Sequence, residues 1–274
     1  MSESSPHKAS TIVINEWLAA ATTQLTTAGV PSARLDAELL LANELEVTRS
    51  WLIAHAHDHI PSDTAKEQLF RRVHREPLAY ITGKKEFYGR SFLVTEEVLI
   101  PRPESEALVS FVKDLQLSGS VVDVGTGSGC LAISIAMECA DLTVTGLDIS
   151  PGALAVAEAN AQALSAKVSF QIGDLLQGYT GPQPRCIVAN LPYVDISWER
   201  SEETNFEPSL AQFAKENGLE LIFTLLEQAA LILMTAGVIV LEADPRQFSQ
   251  IRSKAEVLGF IQIAREGFMI AFKR

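Results

Sequence analysis

From residue 120 onward, short apolar runs alternate with segments that carry the three- and four-residue spacing of helices. Strands that alternate with helices favour a parallel sheet, because each helix brings the chain back to start the next strand in the same direction. The runs are continuous, which is typical of strands buried on both faces. Seven strands are predicted, over residues 121–124, 142–148, 168–172, 186–189, 237–241, 259–264 and 268–272. Only Arg265, Glu266 and Gly267 separate the last two, so we expect a Rossmann-like α/β domain with a mostly parallel sheet and an antiparallel C-terminal hairpin.

The chain before this sheet is different. Residues 12–75 show helical spacing of apolar residues and no strand pattern, which predicts a small N-terminal helical domain. Residues 79–83 and 86–94 are rich in aromatic and β-branched residues and predict a β-hairpin between two domains. We therefore expect a helical bundle over residues 1–80, a hairpin linker over 81–100 and the α/β domain over 101–274.

A glycine-rich loop follows the first predicted strand of the sheet and opens a helix. Its residues are Asp123, Val124, Gly125, Thr126, Gly127, Ser128 and Gly129. Glycines let the backbone approach a ligand closely, and a helix N-terminus offers free N–H groups. The loop predicts a nucleotide-type cofactor site, with a tight turn that binds nothing as the alternative. Its spacing is G-x-G-x-G, whereas dinucleotide folds prefer G-x-G-x-x-G.

Two aspartates follow the next two strands. Asp148 ends the second strand, where a carboxylate can accept both ribose hydroxyls of an adenosine moiety. The alternative is that it caps the helix that starts at Pro151. Asp174 follows the third strand, where its carboxylate or the neighbouring backbone can meet an adenine. Its alternative is an Asx turn.

The fourth strand ends in Asn190, Leu191, Pro192 and Tyr193. This segment places a side-chain amide, backbone carbonyls and an aromatic ring at a carboxyl strand edge, where open α/β sheets bind ligands. The set suits a planar, amide-like nitrogen, whose N–H groups need acceptors and whose face needs a ring. The alternatives are a turn-forming asparagine and an ordinarily packed tyrosine.

The charge and cysteine content of the chain limit the classes of protein to which it can belong. A formal charge of -12 disfavours general binding to nucleic acid and fits a basic partner or a small molecule. The chain has three cysteines and no C-x-x-C pair, and residues 1–10 are polar without an apolar core. No apolar run is long enough to span a membrane, so we expect a cytoplasmic protein. His55, His57 and His59 lie in a polar connection without a nearby cysteine, and we expect no metal site there.

The glycine loop, Asp148, Asp174 and the Asn-Leu-Pro-Tyr segment together resemble the class I S-adenosylmethionine-dependent methyltransferases that modify amide or exocyclic amino nitrogens. Within this group, the chain is similar over essentially its whole length to the release-factor glutamine methyltransferases (the PrmC/HemK family). Further residues that carry this resemblance are 75–83, 87–89, the Pro-Arg-Pro-Glu-Ser-Glu stretch at 101–106, and Glu207-Pro208. Two positions depart from the family pattern. The family's Asn-Pro-Pro-Tyr has Leu191 as its second residue here, and the family's Asp-Gly-Leu starts with Asn217.

The resemblance implies an enzyme that moves a methyl group from S-adenosylmethionine to the glutamine of the Gly-Gly-Gln loop of peptide-chain release factors. It implies that the Asn190 side-chain oxygen and the Leu191 carbonyl accept the two amide N–H groups while Tyr193 packs on the amide face. The helical domain would grip the release factor. Leu191 lacks the fixed φ of proline, so we expect a less preorganised but active loop. The alternatives are a glutamine methyltransferase of another protein, an adenine-N6 nucleic-acid methyltransferase, a dinucleotide dehydrogenase and a non-catalytic binding module.

Overall fold

The computed structural model describes residues 10–195, 197–198, 201–212 and 215–274. These residues divide into two compact units. The smaller unit contains the described residues up to Thr82 together with Glu202–Phe206. The larger unit contains Gly83–Ser201 and Glu207–Arg274, within the same described ranges.

The smaller unit is mainly helical, as predicted. Its elements are β1 (Thr11–Val13), α1 (Ile14–Thr27), α2 (Ala33–Glu44), α3 (Arg49–Ala54), β2 (His59–Pro61), α4 (Lys66–Val73) and α5 (Leu78–Thr82). Apolar side chains at helical spacing on α1 and α2, such as Ile14, Leu25 and Leu40, are fully buried and form its core.

Two details of this unit differ from the prediction. β1 and β2 pair antiparallel, with Ile12 opposite Ile60, so the expectation of no strand is wrong. Strands this short show no usable period of two, and their pairing depends on residues far apart in the chain. The expectation of a strand over residues 79–83 is also wrong, because α5 starts directly after Pro77, whose carbonyl accepts from the Tyr80 amide. A proline at a helix start favours the helix.

A buried ion-pair network also belongs to the smaller unit. The Arg72 side chain is only 6% exposed, and its Nε donates to Asp36 Oδ2 at 2.7 Å. Its guanidinium also donates to Glu203 Oε1, and Arg75 donates to the same carboxylate. Removing such charges from water is costly unless each is paired, so these residues depend strongly on one another.

The larger unit begins with a β-hairpin. Its strands are β3 (Lys84–Phe87) and β4 (Arg90–Leu93), which pair antiparallel. Phe87 and Phe92 are buried, and their rings meet edge to face with centroids 6.1 Å apart. Asn160 connects this hairpin to the glycine loop, since its Nδ2 donates to the carbonyls of both Leu93 and Ser128. The hairpin is therefore packed into the core of this unit.

Helices and strands alternate through the rest of the unit. They are α6 (Glu106–Asp114), β5 (Gly119–Val124), α7 (Cys130–Glu138), β6 (Leu142–Asp148), α8 (Pro151–Ala163), β7 (Val168–Ile172), β8 (Cys186–Ala189), α9 (Lys215–Gly218), α10 (Glu220–Ile232), β9 (Val238–Glu242), α11 (Phe248–Val257), β10 (Ile261–Glu266) and β11 (Met269–Lys273). Short 3-10 turns cover Pro103–Ser105, Glu202–Phe206, Ser209–Ala211 and Pro245–Gln247.

Among the described residues, seven strands form one sheet in the order β10-β11-β9-β8-β5-β6-β7. The strands β9, β8, β5, β6 and β7 run parallel, and β11 is antiparallel to both β9 and β10. This confirms the predicted Rossmann-like sheet with its antiparallel end. Every residue of β8 and of β9 is buried, as the continuous apolar runs indicated. No helix in the described part of the chain combines the length and apolarity needed to cross a membrane.

Candidate active site

Two loops emerge at the carboxyl edge of the sheet where the strand order changes direction. From β5 the sheet continues through β6 and β7 on one side and through β8 and β9 on the other. β5 and β8 are parallel neighbours, with Val124 opposite Ala189. Ligands of open α/β sheets bind at such a switch point. The glycine loop leaves β5 and Asn190 follows β8, so the two motifs singled out in the sequence lie side by side.

Backbone conformation explains the glycines of the loop. Gly125, Gly127 and Gly129 have φ values of 73°, 54° and 78°, in the left-handed region that favours glycine. A Cβ on Gly129 would lie 3.0 Å from Ile133 Cδ1 and 3.1 Å from Ala157 Cβ, so packing excludes a side chain there. A Cβ on Gly127 would meet nothing within 4 Å. The backbone at the tip of the loop is thus open to a ligand.

Asp123 is the buried anchor of this loop. Its Oδ2 accepts from Thr126 Oγ1 at 2.6 Å and from the Ala132 amide at 3.2 Å. Its Oδ1 is buried and has no hydrogen-bond partner within the described residues. Burial raises the pKa of this carboxyl to about 7. A buried carboxylate oxygen that lacks a donor fits a ligand with a polar, positively charged group.

Asp148 ties the tip of the loop to the end of β6. Its Oδ2 accepts from the Gly127 amide at 2.9 Å, and its Oδ1 accepts from the Ser150 amide at 2.9 Å. The cap of α8 is Ser150, whose hydroxyl accepts from the Ala153 amide, so helix capping does not account for Asp148. Each carboxylate oxygen has more than one acceptor position, so Asp148 can still accept from hydroxyl groups.

Asp174 follows β7 and is exposed. Its amide donates to the Gln177 carbonyl at 3.1 Å, and its own carbonyl accepts from the Gln177 amide at 3.0 Å. Its backbone is therefore already paired in a local turn. The carboxylate, or the backbone of a neighbouring residue, is what remains for a ligand.

Leu191, at the position of the family proline, has a buried side chain. It is 4% exposed and belongs to the apolar core on one face of the sheet. A Cβ on Gly125 would lie 3.0 Å from Leu191 Cδ2, so the two loops touch at these residues. Pro192 and Tyr193 are half-buried. The leucine side chain at this position therefore packs into the core and against the glycine loop.

Asn190 and Tyr193 share a set of buried hydrogen-bond partners. Asn190 Nδ2 donates to Ser105 Oγ at 2.9 Å, and Ser105 Oγ donates to Glu242 Oε2 at 2.6 Å. Tyr193 donates its hydroxyl hydrogen to Glu242 Oε1 at 3.1 Å. Burial raises the pKa of Glu242, and burial together with this carboxylate raises the pKa of Tyr193. The hydroxyl of Tyr193 therefore stays protonated. Glu242 connects the side chain of Tyr193 with that of Asn190, the latter through Ser105.

Ser105 and Glu242 were not predicted as site residues. Ser105 lies in the Pro-Arg-Pro-Glu-Ser-Glu stretch, which supports the family resemblance but carries no predicted site role of its own. Glu242 is the last residue of β9, and so lies at the same carboxyl edge as Asn190. A carboxylate at the end of an otherwise apolar buried strand is the signal that could have identified it.

A second departure from the family pattern, Asn217, lies behind the Tyr193 backbone. The buried side chain of Gln247 donates from Nε2 to the carbonyls of both Tyr193 and Asn217, each at 2.8 Å. A Cβ on Gly218 would lie 1.9 Å from the Tyr193 carbonyl oxygen. Only glycine fits beside this carbonyl, so the Asn217-Gly218 pair supports the loop from behind.

The histidines at 55, 57 and 59 lie between the end of α3 and the first residue of β2. His55 stacks on Trp51 with ring centroids 3.9 Å apart, and its Nδ1 is 2.9 Å from the Trp51 carbonyl oxygen. Across the described residues, no three His, Cys, Asp or Glu side chains group together as metal ligands.

Two family models match the chain in separate segments. The PrmC N-terminal domain matches residues 16–83, and the methyltransferase small domain matches residues 103–205. A crystal structure of a methyltransferase from Pyrococcus furiosus superposes with a TM-score of 0.53 at 17% identity, covering 76% of this chain and 98% of that one. This structural likeness supports the fold.

Curated relatives extend the similarity across most of the chain. The release factor glutamine methyltransferase of Koribacter versatilis is 42% identical over 236 residues, which cover 81% of this chain and 84% of the relative. The protein of the same name from Deinococcus radiodurans is 34% identical over 255 residues, which cover 90% of this chain and 91% of the relative. At this identity and coverage, the chain belongs to the release factor glutamine methyltransferase family.

Proposed function

We propose that this chain transfers a methyl group from S-adenosylmethionine to the side-chain nitrogen of the glutamine in the Gly-Gly-Gln loop of a peptide-chain release factor. The observation that supports this most directly is the contact between the two loops at the sheet switch point. Leu191 packs against Gly125, which brings a cofactor-type loop next to the Asn190 amide. Methyl transfer to nitrogen needs these two sites to be adjacent.

The residues of the glycine loop fit the cofactor. Asp148 would accept the ribose hydroxyls, and the backbone of Gly125, Thr126, Gly127, Ser128 and Gly129 would line the methionine part. The unpaired Oδ1 of Asp123 would face its positively charged side, and Asp174 would lie near the adenine. When bound, S-adenosylmethionine supplies a methyl carbon made electrophilic by the sulfonium to which it is attached.

The task of the protein residues is to position a weak nucleophile, because the lone pair of an amide nitrogen is delocalised into its carbonyl. Asn190 Oδ1 would accept one N–H of the glutamine and the Leu191 carbonyl the other, which fixes the amide plane and raises electron density on nitrogen. Tyr193, together with Pro192, would hold the face of the amide. Displacing the nitrogen by about 1 Å would cost on the order of 10²-fold in rate.

The partner and the location follow from the same proposal. We assign the helical domain, residues 1–80, to recognition of the release factor, and place the protein in the cytoplasm, where release factors act. The acidic chain, with a formal charge of -12, suits a basic protein surface better than a nucleic-acid backbone. An adenine also presents an amino nitrogen, so nucleic acid is the competing substrate class.

Mass spectrometry tests the proposal. A purified release factor is incubated with the enzyme and S-adenosylmethionine, and we expect the gain of one methyl group on the glutamine of the Gly-Gly-Gln loop. A release factor with that glutamine replaced by glutamate is the matched control and should gain none. Methylation of adenine-containing DNA or RNA, with the release factor unmodified, would refute the proposal.

A further inference from the structure

The buried side of Asn190 carries a short chain of hydrogen bonds that the described active-site roles do not use. Asn190 Nδ2 is 2.9 Å from Ser105 Oγ, which is 2.6 Å from Glu242 Oε2. Ser105 is 2% exposed and Glu242 is 1% exposed, so water does not compete for these contacts. The three residues belong to separate parts of the fold: Ser105 ends the 3-10 turn Pro103–Ser105, Asn190 directly follows β8, and Glu242 ends β9.

Two hydroxyl donors, from Ser105 and Tyr193, favour the ionised form of Glu242. With Glu242 ionised, the hydrogens in this set of hydrogen bonds can point in only one direction. A carboxylate has no hydrogen to give, so the single hydroxyl hydrogen of Ser105 goes to Glu242. The lone pairs of the serine oxygen then face Asn190, and only the NH₂ end of the asparagine can donate to them. Turning the amide by 180° would place two acceptors face to face. The orientation of Asn190 is therefore set by Glu242, two hydrogen bonds away.

The second oxygen of Glu242 is also occupied. Tyr193 donates to Oε1 at 3.1 Å, so each oxygen of the carboxylate accepts one hydroxyl hydrogen. Because the hydroxyl hydrogens of Ser105 and Tyr193 both point at Glu242, its two carboxylate oxygens both act as acceptors. One carboxylate thus holds two of the side chains proposed to surround the substrate amide.

We propose that Glu242 and Ser105 are positioning residues that lock Asn190 with its oxygen toward the substrate, and that this lock makes the site select a carboxamide over a carboxylate. A glutamine brings N–H groups to the Asn190 oxygen and to the Leu191 carbonyl. A glutamate brings only oxygens and meets acceptors on both sides, which is unfavourable. This inference rests on the proposed function, because it concerns the same candidate site.

The test compares Ser105→Ala and Glu242→Gln with wild type and with Ser134→Ala. Ser134 is a matched control, because its buried hydroxyl on α7 has no hydrogen-bond partner in the described part of the chain. Methylation of the release factor is measured as kcat and KM, and inhibition is measured with the release factor whose target glutamine is replaced by glutamate. Cofactor affinity is measured by calorimetry.

In wild type and Ser134→Ala, we expect the glutamate form to inhibit weakly. In Ser105→Ala, kcat should fall by about tenfold or more, with cofactor affinity unchanged, because the amide is no longer held in position. The glutamate form should become a stronger inhibitor, since Asn190 can then turn its NH₂ group toward it. Glu242→Gln should change both quantities in the same direction, because a glutamine can donate to Ser105 and reverse the chain.

Several results would overturn the inference while leaving the proposed function intact. One is an active wild type with Ser105→Ala and Glu242→Gln variants that keep its kcat and its weak inhibition by the glutamate form. Another is a loss of kcat without any change in that inhibition, which is what a purely structural role predicts. If Ser105→Ala does not fold, the near-isosteric Glu242→Gln decides alone. A wild type that methylates no release factor would instead refute the proposed function.

Discussion

Leu191 Cδ2 lies 3.0 Å from the position that a Cβ on Gly125 would occupy, so the loop after β8 and the glycine loop after β5 pack directly on each other. In the family pattern this residue is a proline, which restricts the backbone. In this chain the residue is a buried leucine, which restrains the loop through packing contacts. The conformation of the loop should therefore depend on those contacts.

Leu191→Ala tests this dependence. We expect the free energy of unfolding to fall by about 2–5 kcal/mol, because a buried leucine is truncated beside a glycine that cannot fill the space. The kcat should fall as well, although the Leu191 carbonyl is retained. Urea denaturation and methylation kinetics measure the two effects. Leu231→Ala is the control, since Leu231 is 80% exposed on α10 and should change stability by less than about 0.5 kcal/mol. Equal stabilities of the two variants would contradict the packing argument.

Asn190 and Asp148 should separate turnover from cofactor binding. Asn190→Ala should lower kcat by on the order of 10²–10³-fold with little change in cofactor affinity, because it removes a positioned acceptor. Asp148→Ala should weaken cofactor binding by about tenfold or more, which corresponds to about 1.4 kcal/mol. It also removes the acceptor of the Gly127 amide. Calorimetry and steady-state kinetics on both variants distinguish these outcomes. Normal turnover in the first variant, or unchanged affinity in the second, would refute the assigned role.

Cofactor affinity should depend on pH through Asp123. Burial raises its pKa from 3.8 to about 7, so the free protein holds this proton at acid pH and releases it as pH rises through neutrality. A positively charged ligand favours the ionised form, so affinity should increase between about pH 6 and pH 8, with proton release on binding. Calorimetry in buffers of different ionisation enthalpy measures both the affinity and the number of protons released on binding. Asp123→Asn should bind with no such dependence, and the same pH dependence in that variant would assign it to another group.

The raised pKa of Asp123 also predicts how the free energy of unfolding depends on pH. A carboxyl whose pKa is higher in the folded state stabilises the fold below its unfolded pKa of 3.8, and this contribution is lost as pH rises through about 7. Comparing wild type with Asp123→Asn by denaturation across this range isolates the contribution. A constant difference between the two proteins would show that the folded and unfolded pKa values are alike.

Arg72 should be critical for the helical unit. Replacing it with methionine leaves Asp36, which is 3% exposed, without its cationic partner, and we expect a loss of about 3–5 kcal/mol in the free energy of unfolding. Arg34→Met is the control, because the Arg34 side chain is 50% exposed and its pair with Glu38 should contribute no more than about 1 kcal/mol. Similar losses from both variants would argue against burial as the cause.

Much of the larger unit could be predicted from the sequence because its signals are local. The runs at 121–124 and 186–189 are continuous because β5 and β8 are buried on both faces, and the glycines at 125, 127 and 129 correspond to left-handed backbone. The sequence predicts a strand where α5 forms, because Tyr80, Ile81 and Thr82 suit strands by composition. The structure has a helix there because Pro77 favours a helix start.

Only part of the candidate site could be predicted from the sequence. Asn190 and Tyr193 belong to a recognisable motif, but the direction in which Asn190 faces depends on Ser105 and Glu242, which are far away in the chain. Hydrogen-bond direction is a property of the assembled buried network, and no spacing in the sequence encodes it.

The two hydrogen bonds that Gln247 donates behind Tyr193 indicate why residue 217 accommodates asparagine where the family pattern has aspartate. What Gln247 holds at residue 217 is a main-chain oxygen, and the backbone there has a φ of 57°, which asparagine and aspartate both tolerate. Asparagine in place of aspartate at this position therefore leaves the hydrogen bond to Gln247 intact, provided that the glycine after it is kept.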